Sequence, residues 1–154
     1  MRRIYSLLFL LLLFSITILS AQKESDPGWK QLTASDLFTY HYSSKQIDRT
    51  PEGTIKFWVK MAPTVEGIID EKARNEVISF RQQYHESTKG YAKWRYRLIQ
   101  YEVHCSQRKF RVLTITDYEG SGRELDSKSN EGGWLDIAPD SLAEDMFDKL
   151  CHLK

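Results

Sequence analysis

The chain has 154 residues, with 22 lysines and arginines against 21 aspartates and glutamates, so its formal net charge at pH 7 is +1. Residues 1–21 contain two arginines and no carboxylate, which leaves 20 basic and 21 acidic side chains in the rest of the chain. A nearly neutral domain lacks the basic face that nucleic-acid binding needs, so nucleic acid is excluded as a main partner. The length is that of one domain with a single hydrophobic core.

The N-terminus has the pattern of a secretory signal peptide. Arg2 and Arg3 supply positive charge, residues 4–19 form an apolar run, and the small Ala21 is suitable for cleavage on its C-terminal side. We therefore predict a signal peptide over residues 1–21.

An uncleaved membrane anchor is the alternative, because Leu19 is larger than the residue usually found two positions before the cleavage residue. Spanning a bilayer takes about 20 apolar residues, however, and this run is shorter. No cysteine lies near Ala21, so we expect no lipid anchor. The prediction is a single domain over residues 22–154, exported to the periplasm or the extracellular space.

Short strands are predicted for the first half of this domain. Residues 29–33 and 39–43 are candidate strands separated by turn-forming residues. Residues 45–50 and 54–61 flank the turn sequence Pro-Glu-Gly at 51–53, which predicts a β-hairpin. Its second strand has strict alternation, with Ile55, Phe57 and Val59 on one face and Lys56, Trp58 and Lys60 on the other.

A helix is predicted over Ile68–Gln83, after the strand-ending proline at 63. Ala73, Val77, Phe80 and Tyr84 recur at intervals of four, three and four residues. This spacing places them on one helical face, which we expect to pack on the sheet.

Two long strands are predicted over residues 94–105 and 109–119. The apolar positions change phase near Leu98, which indicates either a bulge there or a strand that starts later. Two short strands, at residues 123–127 and 134–137, are predicted to follow.

The C-terminus is predicted to form a short amphipathic helix over about residues 141–151. Ser141 and Glu144 have the spacing of a capping box, in which a serine and a glutamate satisfy the first free amides of a helix. The apolar face that follows consists of Ala143, Met146, Phe147, Leu150 and Cys151.

The two cysteines, Cys105 and Cys151, both point inward according to these patterns. A bond between sheet and helix is therefore geometrically reasonable, and exported proteins commonly use paired cysteines as cross-links. The alternative is two buried free cysteines that each act as a small hydrophobic side chain. The residues by themselves leave both possibilities open.

No set of residues has the spacing of a catalytic or metal site. The histidines His41, His85, His104 and His152 show no pairing at metal-ligand spacing, and neither cysteine has the close second cysteine of a redox motif. Ser141 lies in no Gly-x-Ser-x-Gly sequence and is expected to act as a helix cap. We predict a protein that is not an enzyme and needs no metal or cofactor.

The chain is rich in tyrosine and tryptophan, which favour protein contacts when they lie on a surface. The predicted binding surface consists of Tyr40, Tyr42, Trp58, Trp94, Arg95, Tyr96 and Arg97. Two alternatives stay open: the aromatic residues cover the seam between helix and sheet, and the alternation over residues 94–97 marks a solvated basic face of a strand.

One segment of the chain has a more specific pattern. Residues 134–141 read Trp-x-x-Ile-x-Pro-x-Ser ahead of Cys151, and Cys105 ends a long strand. With these features, most of the domain resembles the surface-adhesin protein E family of bacterial exported domains. The resemblance implies an antiparallel sheet packed with helices, a disulfide between Cys105 and Cys151 and, in some members, adhesion to host extracellular proteins. The chain differs from the lipidated adhesins in having no lipidation cysteine.

We therefore expect an α+β fold, in which an antiparallel sheet packs with one central helix and a short disulfide-linked C-terminal helix. The expected function is that of an exported, adhesin-like binding domain that contacts a protein or a cell-envelope component. The alternative is a periplasmic structural or stress-related domain with no role in adhesion. Exposed strand edges also suggest a homodimer.

Overall fold

The structure is a computed structural model that describes residues 28–64, 68–130 and 132–153. The predicted signal peptide at 1–21 and the predicted start of the domain at residue 22 lie outside the described residues. Among the helices that the structure does describe, none is long and apolar enough to cross a membrane.

The described part of the chain forms one antiparallel sheet of seven strands. These are β1 (Trp29–Ala34), β2 (Phe38–Arg49), β3 (Thr54–Pro63), β4 (Trp94–His104), β5 (Lys109–Glu119), β6 (Glu124–Ser129) and β7 (Leu135–Asp136). The first six lie side by side in chain order, and β7 pairs with the start of β5 on the side where β6 pairs with its end.

Two helices accompany this sheet. Helix α1 (Ile68–Gln83) and a 3₁₀ turn (Tyr91–Lys93) connect β3 to β4, and helix α2 (Leu142–Cys151) ends the described chain. The predicted α+β class is confirmed, with its antiparallel sheet, its central helix and its short C-terminal helix.

The predicted hairpin around residues 51–53 is confirmed, and Gly53 has the positive φ of 81° that its turn requires. The two strands predicted at residues 39–43 and 45–50 are one strand, β2, with a wide bulge inside it. Four residues of β2, 43–46, lie opposite Trp58 alone. The bulged segment is held at the start of β1, because Ser43 pairs with Trp29 and the backbone N–H of Ser44 donates to the carbonyl of the preceding Gly28 at 2.9 Å.

The phase change in β4 comes from a bulge at Arg95 rather than at Leu98, and a second bulge lies in the partner strand β5. Arg95 is an extra residue between the first two pairs of β4 with β5, and Leu113 is an extra residue of β5 further along. Leu98 itself pairs regularly with Thr116. The bulge at Arg95 brings the side chain of Trp94 to the same face of the sheet as those of the later core residues.

Both helices pack on one face of the sheet, which we call the inner face. The main core joins α2 to β2, β3 and β4, and consists of Tyr42, Ile55, Phe57, Val59, Ile99, Tyr101, Val103, Ala143, Met146, Phe147 and Leu150. A smaller core beneath α1 consists of Met61, Val77, Tyr91 and Trp94.

Helix α1 has the predicted bounds but a different buried face. Ala73 and Val77 are buried as predicted, whereas Phe80 and Tyr84 are 50% and 58% exposed, so their prediction as packing residues is wrong. Arg81 is buried in their place, because the sheet beneath this part of α1 presents carboxylates rather than apolar side chains; its Nη2 lies 2.8 Å from Asp126 Oδ2.

Helix α2 is attached to the sheet by a disulfide. Cys105 and Cys151 are bonded with their Cα atoms 5.6 Å apart, so the disulfide is confirmed and the alternative of two free cysteines is wrong. At the N-terminus of the helix, Ser141 Oγ accepts a hydrogen bond from the Glu144 amide at 3.2 Å. The Glu144 carboxylate accepts from the amide of Asp140, which completes a slightly shifted capping box.

Candidate binding face of the sheet

The face of the sheet turned away from the inner face is covered by neither of the described helices. Strand alternation and register place on it a set of side chains from four strands, which we call the open face: His41, Lys56, Trp58, Lys60, Tyr96, Leu98, Gln100, Glu102, Arg111, Thr116 and Tyr118. Because this face carries aromatic and charged groups in the centre of a sheet, it is a candidate binding surface.

A stack of three side chains runs across the middle of the open face. The ammonium of Lys60 lies 4.7 Å from the centre of the Tyr96 ring, and the Tyr96 and Tyr118 rings stack at 4.9 Å with planes 13° apart. A cation over an aromatic ring is an attractive arrangement. Burial raises the pKa of Tyr96, with a smaller contribution from Tyr118, so its hydroxyl is neutral and can donate a hydrogen bond.

Lys60 supplies the positive charge of the stack at neutral pH. His41 is its pairing residue on β2, and burial, followed by the charge of Lys60, lowers the pKa of His41 below its usual value. His41 is therefore neutral at pH 7, and it adds no charge beside Lys60.

One end of the open face is internally paired. Arg111 Nη2 lies 2.6 Å from Glu102 Oε2, and its guanidinium lies 4.6 Å from the ring centre of Trp134. Because these side chains bind one another, this end of the open face has fewer polar groups available to a partner than the stack has.

A hollow of about 330 Å³ lies beside Trp58, where the bulge carries β2 away from β3. It is lined by Lys45, Gln46, Ile47, Asp48, Lys56, Phe57, Trp58 and Gln100. The hollow and the stack together make up the part of the open face with free polar and aromatic groups.

Comparison with known proteins gives one match. The family model of surface-adhesin protein E matches residues 29–152, from the first residue of β1 to the residue after Cys151. The chain belongs to the surface-adhesin protein E family. Membership makes it an adhesin-like surface protein and implies that it is exported. Neither the curated proteins nor the solved structures include a significant match.

In this member of the surface-adhesin protein E family, two of the seven predicted surface residues lie on the open face: Trp58 and Tyr96. Tyr42 and Trp94 are only 2% and 1% exposed, so their prediction as surface residues is wrong. Trp94 is buried because the bulge at Arg95 turns it to the inner face. Tyr42 is buried because its pairing with Val59 places it in the main core.

The remaining three predicted residues lie off the open face. Tyr40 packs half-buried against both cores, and Arg95 Nη1 forms an ion pair with Asp70 at 2.9 Å. Arg97 is on the inner face, where it binds Asp117. The alternative of a solvated basic strand face is therefore wrong for Arg97.

Sequence reasoning missed Lys60 and Tyr118 as members of the candidate surface. The alternation along β3 already places Lys60 on the face of Trp58, so that signal was available in the sequence. Tyr118 becomes adjacent to Tyr96 only through the register of β4 with β5, which depends on the bulge at Arg95.

Among the described residues Asp117 is the most buried carboxylate, and both of its oxygens accept hydrogen bonds. It accepts hydrogen bonds from Arg97, from the Tyr91 hydroxyl at 2.8 Å and from the Trp94 indole at 2.9 Å. Burial by itself would raise the pKa of Asp117, but the bonds and charge of Arg97 outweigh it and hold that pKa below its usual value. This carboxylate organises the core and is ionised at neutral pH.

A second cavity, of about 490 Å³, lies between α2 and the inner face of the sheet, and its lining is mostly apolar. Within the described residues, no group of three or more histidine, cysteine, aspartate or glutamate side chains has the arrangement of a metal site.

Proposed function

We propose that the chain is an exported, non-enzymatic binding domain that holds a protein or an envelope component on the open face of its sheet. The observation that carries this proposal is the stack of Lys60, Tyr96 and Tyr118 on a face that neither described helix covers. Tyrosine and tryptophan supply contact area and hydrogen bonds together, which suits them to interfaces, and a lysine beside them adds a charge that a partner can complement.

The unpaired lysines of the open face also support it as the binding surface. Neither Lys56 nor Lys60 forms an ion pair with another described residue, whereas Glu102 and Asp117 are each bound by an arginine. A partner with acidic groups would therefore meet two cations without displacing an existing ion pair.

The non-enzymatic part of the proposal rests on how the polar groups are used. Asp117 and Glu102 are ion-paired, and Ser141 caps α2, so each has a structural role in the described fold. Purified protein should accordingly show no turnover with ester, phosphate or glycoside reporter substrates. Turnover abolished by a single side-chain substitution would contradict this part.

We further propose that residues 1–21 are a signal peptide cleaved after Ala21 and that the mature protein carries no lipid. The disulfide supports export, because such bonds persist in oxidising compartments. Intact-mass measurement of the mature protein should give the mass of residues 22–154 with one disulfide. Protease treatment of intact cells should remove the domain; its survival would favour a periplasmic protein without an adhesive role.

The binding proposal is tested by affinity capture from host-matrix and envelope extracts with three forms of the protein. These are the natural chain, the open-face variant Trp58→Ala/Tyr96→Ala, and the control variant Phe80→Ala/Tyr84→Ala. The control removes an exposed aromatic pair at the C-terminal end of α1, whose rings lie 4.7 Å apart. We expect the same component to be captured by the natural chain and the control but lost with the open-face variant. Equal capture by all three folded forms would contradict the proposal.

A further inference from the structure

The bulge of β2 separates this strand locally from β3. Between the pairs Tyr42–Val59 and Ile47–Phe57, four residues of β2 face a single residue of β3. The strand is thereby carried away from β3, and a hollow of about 330 Å³ opens beside Trp58. Bulges are frequent next to binding sites, where they redirect side chains. The volume lies near the lower end of the range for small-molecule sites, about 300–1,000 Å³.

The polar groups around this hollow are unused. In the part of the chain that the structure describes, the side chains of Lys45, Gln46, Asp48, Lys56 and Gln100 form no hydrogen bond or ion pair with another residue. The same holds for the indole N–H of Trp58. The polar groups around the hollow are therefore available to bind a ligand, whereas Glu102 and Arg111 on the same face bind each other.

The donor and acceptor types match a sugar ring. Gln46 and Gln100 each donate and accept, Asp48 only accepts, and the two lysines only donate. A pyranose has a rim of hydroxyls that do both, and a face of C–H bonds that packs on an aromatic ring such as that of Trp58. An acidic peptide could also bind the lysines through its carboxylates and the amides through its backbone, but it has no rigid C–H face that packs on the ring of Trp58.

The charge of the lining selects among sugars. Lys45 and Lys56 against Asp48 give the hollow a net positive charge at neutral pH. A sugar with one carboxylate would complement this charge, whereas a neutral sugar would leave it unmatched.

We propose that the hollow beside Trp58 is a saccharide site for an acidic sugar, a pyranose that bears a carboxylate. This inference rests on the proposed function, because it names the chemical class of the component that the open face binds. Trp58 supplies the platform, Lys45 and Lys56 bind the carboxylate, and Gln46, Asp48 and Gln100 bind hydroxyls.

The test is calorimetric titration of protein recovered from the periplasm after expression of the full chain. The probe is the hyaluronan tetrasaccharide, in which glucuronate alternates with N-acetylglucosamine, and the neutral comparison is tetra-N-acetylchitotetraose. We expect the first to bind, and the second to bind about tenfold more weakly or worse. Binding of the two with equal affinity would overturn the acidic preference, and no binding of either at millimolar concentration would overturn the site.

Variants assign the binding to the hollow. Trp58→Ala should raise the Kd for hyaluronan tetrasaccharide about tenfold or more, and Lys56→Gln severalfold. Trp134→Ala, which removes a tryptophan packed on Arg111 outside the hollow, should leave it unchanged. If Trp58→Ala fails to fold, Lys56→Gln and Gln100→Ala carry the test. Unchanged affinity in the folded hollow variants would overturn the proposal.

Three further outcomes distinguish failure of the saccharide proposal from failure of the proposed function. A poly-glutamate peptide that binds where the tetrasaccharide does not would assign the hollow to acidic peptides and overturn the saccharide site. If no sugar binds but capture still depends on Trp58 and Tyr96, the saccharide proposal fails and the binding face stands. If capture is independent of the open face, the proposed function itself fails.

Discussion

Arg97 on β4 binds both carboxylate oxygens of Asp117 on β5, with Nε 2.8 Å from Oδ1 and Nη2 2.9 Å from Oδ2. Asp117 is only 2% exposed, and Arg81 of α1 lies 3.6 Å from the same carboxylate. Tyr91 and Trp94 donate to it as well. One buried anion therefore connects two strands, the 3₁₀ turn and the central helix.

Removing that charge should destabilise the fold strongly. Asp117→Asn keeps the side-chain shape but leaves Arg97 buried without a counter-charge, which costs about 3–5 kcal/mol in comparable cases. Urea unfolding of the variant measures this loss. The matched control is Asp148→Asn, an exposed carboxylate of α2, which should change stability by less than about 0.5 kcal/mol. Equal stability of the two variants would contradict the role of Asp117.

Stability should fall in acid, partly because of Asp117. Its pKa is held below the unfolded value of about 3.9, so the unfolded state binds more protons as the pH falls through that value. The stabilisation is complete above about pH 5 and is lost progressively below it. Unfolding free energies measured from pH 7 to pH 3 should decline less steeply for Asp117→Asn than for the natural chain, and parallel curves would show that this carboxylate does not contribute.

Loss of the disulfide should lower stability by about 2–5 kcal/mol, the range for small secreted domains. The bond joins residues 46 apart, for which loop-closure entropy alone predicts about 4 kcal/mol. Thermal or urea unfolding of Cys105→Ser and Cys151→Ser checks this, with the reduced natural chain as the matched comparison. Stoichiometric thiol labelling of the denatured, unreduced natural chain would contradict the bond.

The N-terminus of α2 should depend on its cap. Ser141→Ala removes the acceptor for the Glu144 amide and should cost about 0.5–2 kcal/mol, whereas Ser141→Gly should cost only a few tenths, because water then reaches the free amide. Chemical unfolding of the two variants gives the comparison. If alanine were no worse than glycine, the hydroxyl would not be acting as a cap.

Local patterns were sufficient to predict much of this fold. The alternation around Trp58, the capping residues Ser141 and Glu144 and the inward phases of Cys105 and Cys151 each depend on neighbours close in the chain. These features predict the hairpin and the C-terminal helix, whereas for the disulfide they show only that both cysteines point inward, and the pairing was implied by the family resemblance.

The wrong predictions of side-chain burial have causes that lie far away in the sequence or in the pairing of the strands. Phe80 and Tyr84 have helical spacing suited to packing, but Arg81 is buried instead, because it pairs with Asp126 and Asp117 on distant strands. The buried position of Trp94 depends on the bulge at Arg95, and an arginine in a strand does not predict a bulge. A homodimer through a strand edge stays a prediction.

The candidate site was predictable only in part. Trp58 and Tyr96 were predicted from composition, since a chain this rich in tyrosine and tryptophan is expected to expose some of them. The hollow beside Trp58 depends on four residues of β2 facing one of β3, and the sequence instead suggested two separate strands there. Only Ser43 of the four bulged residues pairs with β1, and no local pattern in the sequence encodes this arrangement.

Lysine footprinting of the captured complex tests the binding face most directly, because it requires no substitution. The free protein and the complex are acetylated in parallel, and the reactivity of each lysine is compared by mass spectrometry. Lys56 and Lys60 should lose most of their reactivity in the complex, while Lys72 on α1 and Lys149 on α2, both exposed, should keep theirs. Protection of Lys72 or Lys149 with Lys56 and Lys60 unaffected would contradict binding through the open face.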